Sequence, residues 1–486
     1  MFPEKHTVYI FFLCFLALSW KLYGTPYFLP SLTAAIITFI NYSLRFRWKE
    51  LLPGTLAVVA VLGISSLFSP KAELPPKVAW IKELHGQKVA ITADWKFIRL
   101  KSEEVRVGDL IDEEGKLLVK NNSVGARLQR VRFNLYRKLE ETVDYPLSAL
   151  IGACTLGIRY ELPASTKGYF ALSGLYHFLA ISGLHVGVVI GALAALFRLL
   201  GLRRPLTTAS LAVLPLMPLT GLPPSAVRAY LFALLLSLGI ESFRKISPLY
   251  TLGVVMLLTI LFGEFNLSAA LSFSAVGGIL LAAQGEGSSA EKWLKVAVAP
   301  MLFTLPIVLN VFGTVNAASW LSTLLTGFIF TPFLVASFGA QVLLFKLPLL
   351  NQAAQWLGAL FVQSVQWAFD VTKWAIIHSE ISVAIAATTF LGALVLALWG
   401  GVRLVLLPPA LLLIFAAFNQ TVVKGRELHL HGWRLNSFRF VATEGQRYRE
   451  CTIYGTYVMP ATRKLLFWNT LVDERLKYLK GKKHYW

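Results

Sequence analysis

Three polar side chains sit close together in a strongly apolar run, HFLAISGLHVGVV, residues 177–189: His177, Ser182 and His185. A hydroxyl and an imidazole three apart on a helix can meet, which is the geometry of a nucleophile beside its base. Two imidazoles eight apart lie about 80° around a helix and about 12 Å along it. That is too far to share one metal ion, which takes histidines at i and i+4. In an apolar medium each such group costs free energy unless it is hydrogen-bonded. Each of the three therefore either bonds to a neighbouring helix, or faces water along a functional path. Gly174, Gly183, Gly187 and Gly191 thin the same stretch and allow close helix approach.

A second constellation is LTGLPPSAVRAYLFALL. Gly221 and Pro223-Pro224 end one apolar segment, and Ser225 and Arg228 open the next. Arg228 near a helix start either snorkels to the interface or, buried on a broken helix, lines a water-filled path for an anion. A third is FNLSAALSFSAVGG, where Asn266, Ser268, Ser272 and Ser274 put polar groups on a helix of small residues. Serines there act as packing glue or line a pore.

The elements that must position these groups are membrane helices. The chain has 486 residues, of which 56% are hydrophobic and only 15% charged, against about 25% charged in soluble domains. Many windows reach the roughly 20 apolar residues a span requires. The fold class expected is a polytopic α-helical membrane protein with a small extracytoplasmic β-domain and a short tail. Residues 1–69 hold three N-terminal spans, the first read as retained because no small-residue cleavage site follows it. Arg45, Arg47 and Lys49 place the loop between the second and third spans in the cytoplasm, and so the following segment outside.

That segment, residues 70–145, alternates apolar and polar residues in short runs, with Glu114-Gly115 as a hairpin turn, and reads as a small OB-like β-domain. It ends in ARLQRVRFNLYRKLEE. Arg127, Arg130, Arg137 and Lys138 lie beside Leu128, Val131, Leu135 and Leu139, which makes a basic amphipathic helix of the kind that rests on a membrane surface. Residues 146–423 form a larger membrane block. Within it FVQSVQWAFDVTKWAIIHSE is amphipathic and fits either a span or an interfacial helix. Residues 424–486 are a short basic, aromatic tail that reads as β.

The net charge of +20 leaves room for an anionic partner beyond the ordinary excess of cytoplasmic Lys and Arg. Cys14, Cys154 and Cys451 form neither a metal cluster nor a disulfide framework. No metal site, cofactor motif or phosphate-binding P-loop is seen, so any ATP hydrolysis would come from a partner.

GLYHFLAISGLHVGVVIGAL, LTGLPPSAVRAYLFALLLSL and LSFSAVGGILLA, in that order, resemble the competence domain of the ComEC family, the inner-membrane DNA channel of natural transformation. ALIGACTLGIRYELP upstream is similar too, and the likeness spans roughly residues 146–400. The resemblance implies passage of single-stranded DNA across the cytoplasmic membrane by a channel rather than an enzyme. Its motif residues map onto His177, Ser182, Gly183 and His185; onto Gly221, Ser225, Arg228 and Ala229; and onto Leu271, Ser272 and Phe273. Arg228 is then the first candidate for a phosphate contact, with Arg127 and Arg130 of the basic helix beside it. The family picture adds an extracytoplasmic DNA receptor and a cytoplasmic motor ATPase as partners, with the lipid bilayer around them.

Many members of that family also carry a metallo-β-lactamase-like nuclease domain, with a His-x-His-x-Asp-His cluster that binds metal. Here His429 and His431 are followed by Trp433 and Arg434 where the Asp and the last His belong, so the tail is expected to lack it and a separate nuclease to act. Two other readings remain open. One is a permease for another anionic or lipid-linked substrate. The other is an intramembrane hydrolase using Ser182 with His177 or His185, for which no orienting acid stands nearby on the helix.

Overall fold

Prolines, glycines and short polar breaks divide the apolar sequence into seventeen described helices in the computed structural model. It describes residues 5–419 apart from 23–24, 46–51, 68–76, 85–86, 93–96, 101–104, 113–115, 122, 160, 243–245, 263–264, 285–287, 380 and 401–403. Beyond 419 it describes 438–442, 450–454 and 457–460. Three N-terminal helices, α1 (Lys5–Lys21), α2 (Phe28–Arg45) and α3 (Leu52–Leu67), come first. They share one core with α11 (Pro248–Phe262): Val8, Leu13, Cys14 and Ala17 meet Tyr42, Leu62, Leu252, Val255 and Ile260. The Cys14 thiol donates to the Gly253 carbonyl at 3.3 Å, where the absence of a side chain lets α1 approach.

The β-domain follows. β1 (Val78–Leu84), β2 (Gln87–Thr92) and β3 (Phe97–Arg99) form an antiparallel meander, and β4 (Leu110–Ile111) pairs with β5 (Leu117–Val119). A bridge between Lys77 and Leu110 joins the two sheets over a core of Val78, Ala90, Ile98, Val105 and Ile111. The Glu114-Gly115 turn lies outside the described residues, although the strands that flank it pair as a hairpin requires. Among the described residues the five strands pair as two sheets, and no pairing closes them into a barrel.

α4 (Val124–Thr142) ties this domain to the membrane block. Ser123 caps it by accepting from the Ala126 amide at 3.3 Å. Buried Asp109 is the hub of the junction: it accepts from the amides of Arg106 and Asn121 at 2.9 and 3.0 Å and from Arg130 Nη2 at 3.1 Å. Arg130 also donates to the carbonyls of Val107 and Asn121 at 3.3 and 2.6 Å. Replacing Asp109 with Ala leaves those donors without their buried acceptor. The domain is then expected to lose ~3 kcal/mol, read as proteolysis within residues 77–123 at temperatures where the membrane helices remain intact.

In the membrane block α5 (Leu147–Ile151) widens into a π-turn over 152–156, ending at Gly157 with φ 69°. Then come α6 (Ala164–Leu172), α7 (Tyr176–Leu179), α8 (Gly183–Leu199), α9 (Pro205–Val213) with a 3-10 turn to Thr220, and α10 (Pro224–Glu241). After α11 follow α12 (Leu267–Ala283), α13 (Ser289–Phe312), α14 (Ser319–Val342), α15 (Pro348–Thr372), α16 (Val383–Val395) and α17 (Leu407–Phe418). By length and composition α10, α13 and α14 are able to cross a membrane, and eight further apolar helices or helical runs are shorter.

The amphipathic segment 361–380 is not one element: its first twelve residues complete the 25-residue helix α15, which returns along α14, and the chain then passes through a 3-10 turn at Lys373–Ala375 into a short strand at Ile376–His378. Phe361 and Val365 enter the core, while Trp356 and Trp367 stand exposed. A short ribbon, β6 (Thr314–Asn316) with β7 (Ile376–His378), closes the loops at one end. In the tail β8 (Phe438–Ala442), β9 (Glu450–Tyr454) and β10 (Tyr457–Pro460) form an antiparallel sheet. His429, His431, Trp433 and Arg434 lie outside the described residues.

Candidate functional site

The run from His177 to His185 is not one helix. α7 ends at Leu179, the backbone is extended at Ala180 and Ser182, and α8 starts at Gly183. The expectation of both histidines on one helical face therefore gives way to a break between them. His177 is exposed and its Nδ1 pairs with the Gly174 carbonyl at 3.2 Å, whereas His185 is 1% exposed. Its Nδ1 sits 3.1 Å from Ser182 Oγ and accepts from the Ser182 amide at 3.3 Å. The break is thus held by a capping box in which histidine takes the place of the usual Glu or Gln. The imidazole packs edge-on against Phe330 at 5.1 Å, part of a buried aromatic cluster with Phe178, Phe333 and Phe361.

This arrangement makes the Ser182–His185 contact that a nucleophile and base would make. It uses the same nitrogen to cap the backbone, and His185 Nε2, where an orienting acid would attach, is buried without a hydrogen-bond partner. Among the described residues no group of His, Cys, Asp and Glu could hold a metal ion. The geometry is that of a cap. Ser182→Ala is expected to cost ~1 kcal/mol in thermal stability and to leave labelling by a serine-directed phosphonate unchanged.

The second motif comes to the first through Ser225, whose hydroxyl donates to the Ile181 carbonyl at 2.7 Å, one residue before the cap. A Cβ on Gly183 would stand 3.4 Å from Ala229 Cβ, so α8 and α10 start side by side at van der Waals contact. The third motif joins through Arg228, which is 5% exposed. Its Nη2 donates to the Ser268 carbonyl at 3.0 Å and to Ser268 Oγ at 3.1 Å, and its Cζ lies 5.7 Å from the centre of the Phe273 ring. Its Nε is buried without a partner, and no ion pair to a carboxylate is formed by Arg228 among the described residues. Leu271 and Ser272 are half-buried on α12 beside Phe273.

Three helices of 17, 18 and 17 residues, α8, α10 and α12, therefore begin at one place. A helix start carries about half a positive charge. The Ser182–His185 capping box at α8 and Asn266 at α12, which accepts from the Ala269 amide at 3.1 Å, satisfy part of the first-turn N–H groups, and Pro224 opens α10 without one. The guanidinium of Arg228, bonded to Ser268 at the start of α12, adds a full positive charge among these helix starts.

Gly221 turns the chain just before α10, with φ 82°. A Cβ there would lie 2.5 Å from Nη1 of Arg132, a residue the motifs did not flag. Arg132 Nε donates to the Leu156 carbonyl at 2.6 Å, and its Nη2 would be 3.3 Å from a Cβ on Gly157. The signal for it in the sequence is its register with Tyr136 and Leu139, four and seven residues on, which face the membrane block. Of the other two arginines expected at phosphates, Arg127 is exposed, whereas Arg130 is engaged with Asp109 and two carbonyls. That engagement makes Arg130 a structural latch instead of a free cation.

The sequence also matches known proteins. The sequence model of a family described as "Competence protein" matches residues 154–408, more than half of the 486 residues. An uncharacterized protein of Aquifex aeolicus is 31% identical over 268 residues, covering 53% of this chain and 58% of that protein. The "ComE operon protein 3" of Bacillus subtilis is 31% identical over 176 residues, covering 34% of this chain and 22% of that protein. The chain thus aligns with little more than half of the first relative and less than a quarter of the second. No solved structure matches.

Proposed function

Because the chain belongs to the competence protein family, we propose that it carries single-stranded DNA across the cytoplasmic membrane during natural transformation, as a channel and not an enzyme. The observation that carries the proposal is the junction of α8, α10 and α12 around Arg228. A strand passing there would present phosphates to three helix starts and a guanidinium that lacks a carboxylate. Phosphate recognition without base recognition is what passage of any sequence requires. Phe273, buried under Arg228 and stacked with Phe265, holds the guanidinium in place at this level.

In this reading the β-domain stands on the outer face as an OB-like surface where the strand arrives. An extracytoplasmic receptor delivers it, a cytoplasmic motor ATPase pulls it, and a separate nuclease makes it single-stranded. No cofactor is needed.

The test is import of labelled DNA into the cytoplasm of cells with and without this gene. Loss of import on deletion, with DNA still bound at the cell surface, is the expected result. Normal import by the deletion strain would instead point to a permease for another phosphate- or carboxylate-bearing substrate on the same helices.

A further inference from the structure

Residues two apart on an α-helix point about 200° away from each other, and α4 uses this with two arginines. Arg130 faces the β-domain, where it binds Asp109, the Val107 carbonyl and the Asn121 carbonyl. Ala126, four residues earlier, lies on the same side; a Cβ on Gly108 of the β-domain would come within 2.8 Å of the Ala126 Cβ. Arg132 faces the membrane block. There it donates to Leu156 and fills the space between the left-handed turns at Gly157 and Gly221. Tyr136 lies over Gly152, where a Cβ would stand 2.4 Å from the ring, and Leu139 is fully buried beyond it.

Both turns that Arg132 touches serve the site. Gly157 ends the π-turn, and a Cβ there would also meet the Thr220 carbonyl at 2.9 Å and Ile181 at 3.2 Å. Gly221 leads directly into the start of α10, which carries Ser225 and Arg228. Ile181 is the residue whose carbonyl Ser225 binds. The guanidinium thus rests against two loops that fix the relative height of the α8 and α10 starts.

We infer that α4 is a strut coupling the β-domain to the Ser182–Ser225–Arg228 junction, with Arg130–Asp109 as its outer latch and Arg132 as the positioning residue at its inner end. The functional consequence rests on the anion-path reading above: a strand or receptor engaging the β-domain would shift α4 and so reset the spacing of the helix starts that meet phosphate. The coupling itself is a property of the chain and is measurable without nucleic acid.

The test is amide hydrogen exchange on the purified full chain in lipid nanodiscs. The reporters are the amides of Ile158 and Gly221, which bond to the carbonyls of Gly152 and Pro218. Arg130→Gln breaks the latch some distance from both. It is expected to speed exchange at Ile158 and Gly221 roughly tenfold, the size of one charge-assisted bond, while α14 and α15 exchange as before. Arg132→Ala should do the same, and adding Arg130→Gln to it should give no further acceleration, because the two act through one element.

Unchanged exchange at Ile158 and Gly221 in Arg130→Gln, or fully additive effects in the double variant, would overturn the strut. Should Arg130→Gln loosen α14 and α15 as well, Arg130→Lys supplies the milder break, and the same local pattern is required of it. If the coupling holds but Arg228 variants import DNA normally, the anion-path reading falls alone.

Discussion

Arg228→Met is expected to lower DNA import by a factor of about 100 or more, the range measured when a buried cation at a recognition site is truncated, without loss of folded protein. The fold gives two reasons for separating these effects. Arg228 is almost fully buried, has an unpartnered Nε, and pairs with Ser268 rather than a carboxylate. A cation held in that way costs desolvation that its bonds do not fully repay. Methionine fills similar space, keeps contact with the Phe273 ring, and frees exposed Ser268 to bond with water.

Thermal stability in detergent should therefore stay level or rise by ~1 kcal/mol while transport fails, as at sites where function is kept at the expense of stability. Arg228→Lys keeps the charge but loses the planar fork, and should fall between wild type and Arg228→Met. A variant that unfolds would show that Arg228 is structural; one that folds and imports normally would remove it from the path.

The second large effect is on stability. Gly221→Ala is expected to destabilise by about 2–3 kcal/mol, combining the cost of a left-handed residue with displacement of a fixed neighbour. The φ of 82° supplies the first part, and the 2.5 Å approach to Arg132 Nη1 supplies the second. A guanidinium is normally free to swing away, but this one is tied to the Leu156 carbonyl at 2.6 Å. In an Arg132→Ala background the same substitution should cost only the backbone part, ~1–2 kcal/mol. Melting temperatures of the four proteins in the cycle check this. Equal costs in both backgrounds would mean that Arg132 does not pack against the Gly221 turn.

Much of the junction was legible because it is written in residues that break helices. Pro223-Pro224 and Gly221 marked the start of α10, and the structure places the break there. The strands of the β-domain follow from alternation in the sequence, and the tail, read as a small β-piece, carries three strands among its described residues.

The break between His177 and Ser182 was hidden, since HFLAISGL contains no proline or charge and reads as continuous helix. It exists because tertiary bonds stabilise it: Ser225 takes the Ile181 carbonyl, and His185 caps the Ser182 amide. The spacing Ser-x-x-His hinted at the capping box, but histidine is not the usual residue at its third position. Arg132 was missed for a related reason. Among several arginines on α4 it looks like one more surface cation, and only the three-dimensional course of the Gly157 and Gly221 turns reveals its place. The N-terminal helices, which read as a separate unit, share a core with α11 through contacts some 240 residues apart in sequence, a distance over which hydrophobic periodicity carries no information.

In the proposed function, a DNA strand in transit passes the α8–α10–α12 junction. The most direct measurement places a photo-crosslinking amino acid at Ser268, beside the Arg228 guanidinium, and illuminates cells while labelled DNA is being imported. Covalent attachment of single-stranded DNA is expected at position 268, and none when the same group is placed at Trp356, which is exposed on α15. Import that proceeds normally with no attachment at 268 would contradict it.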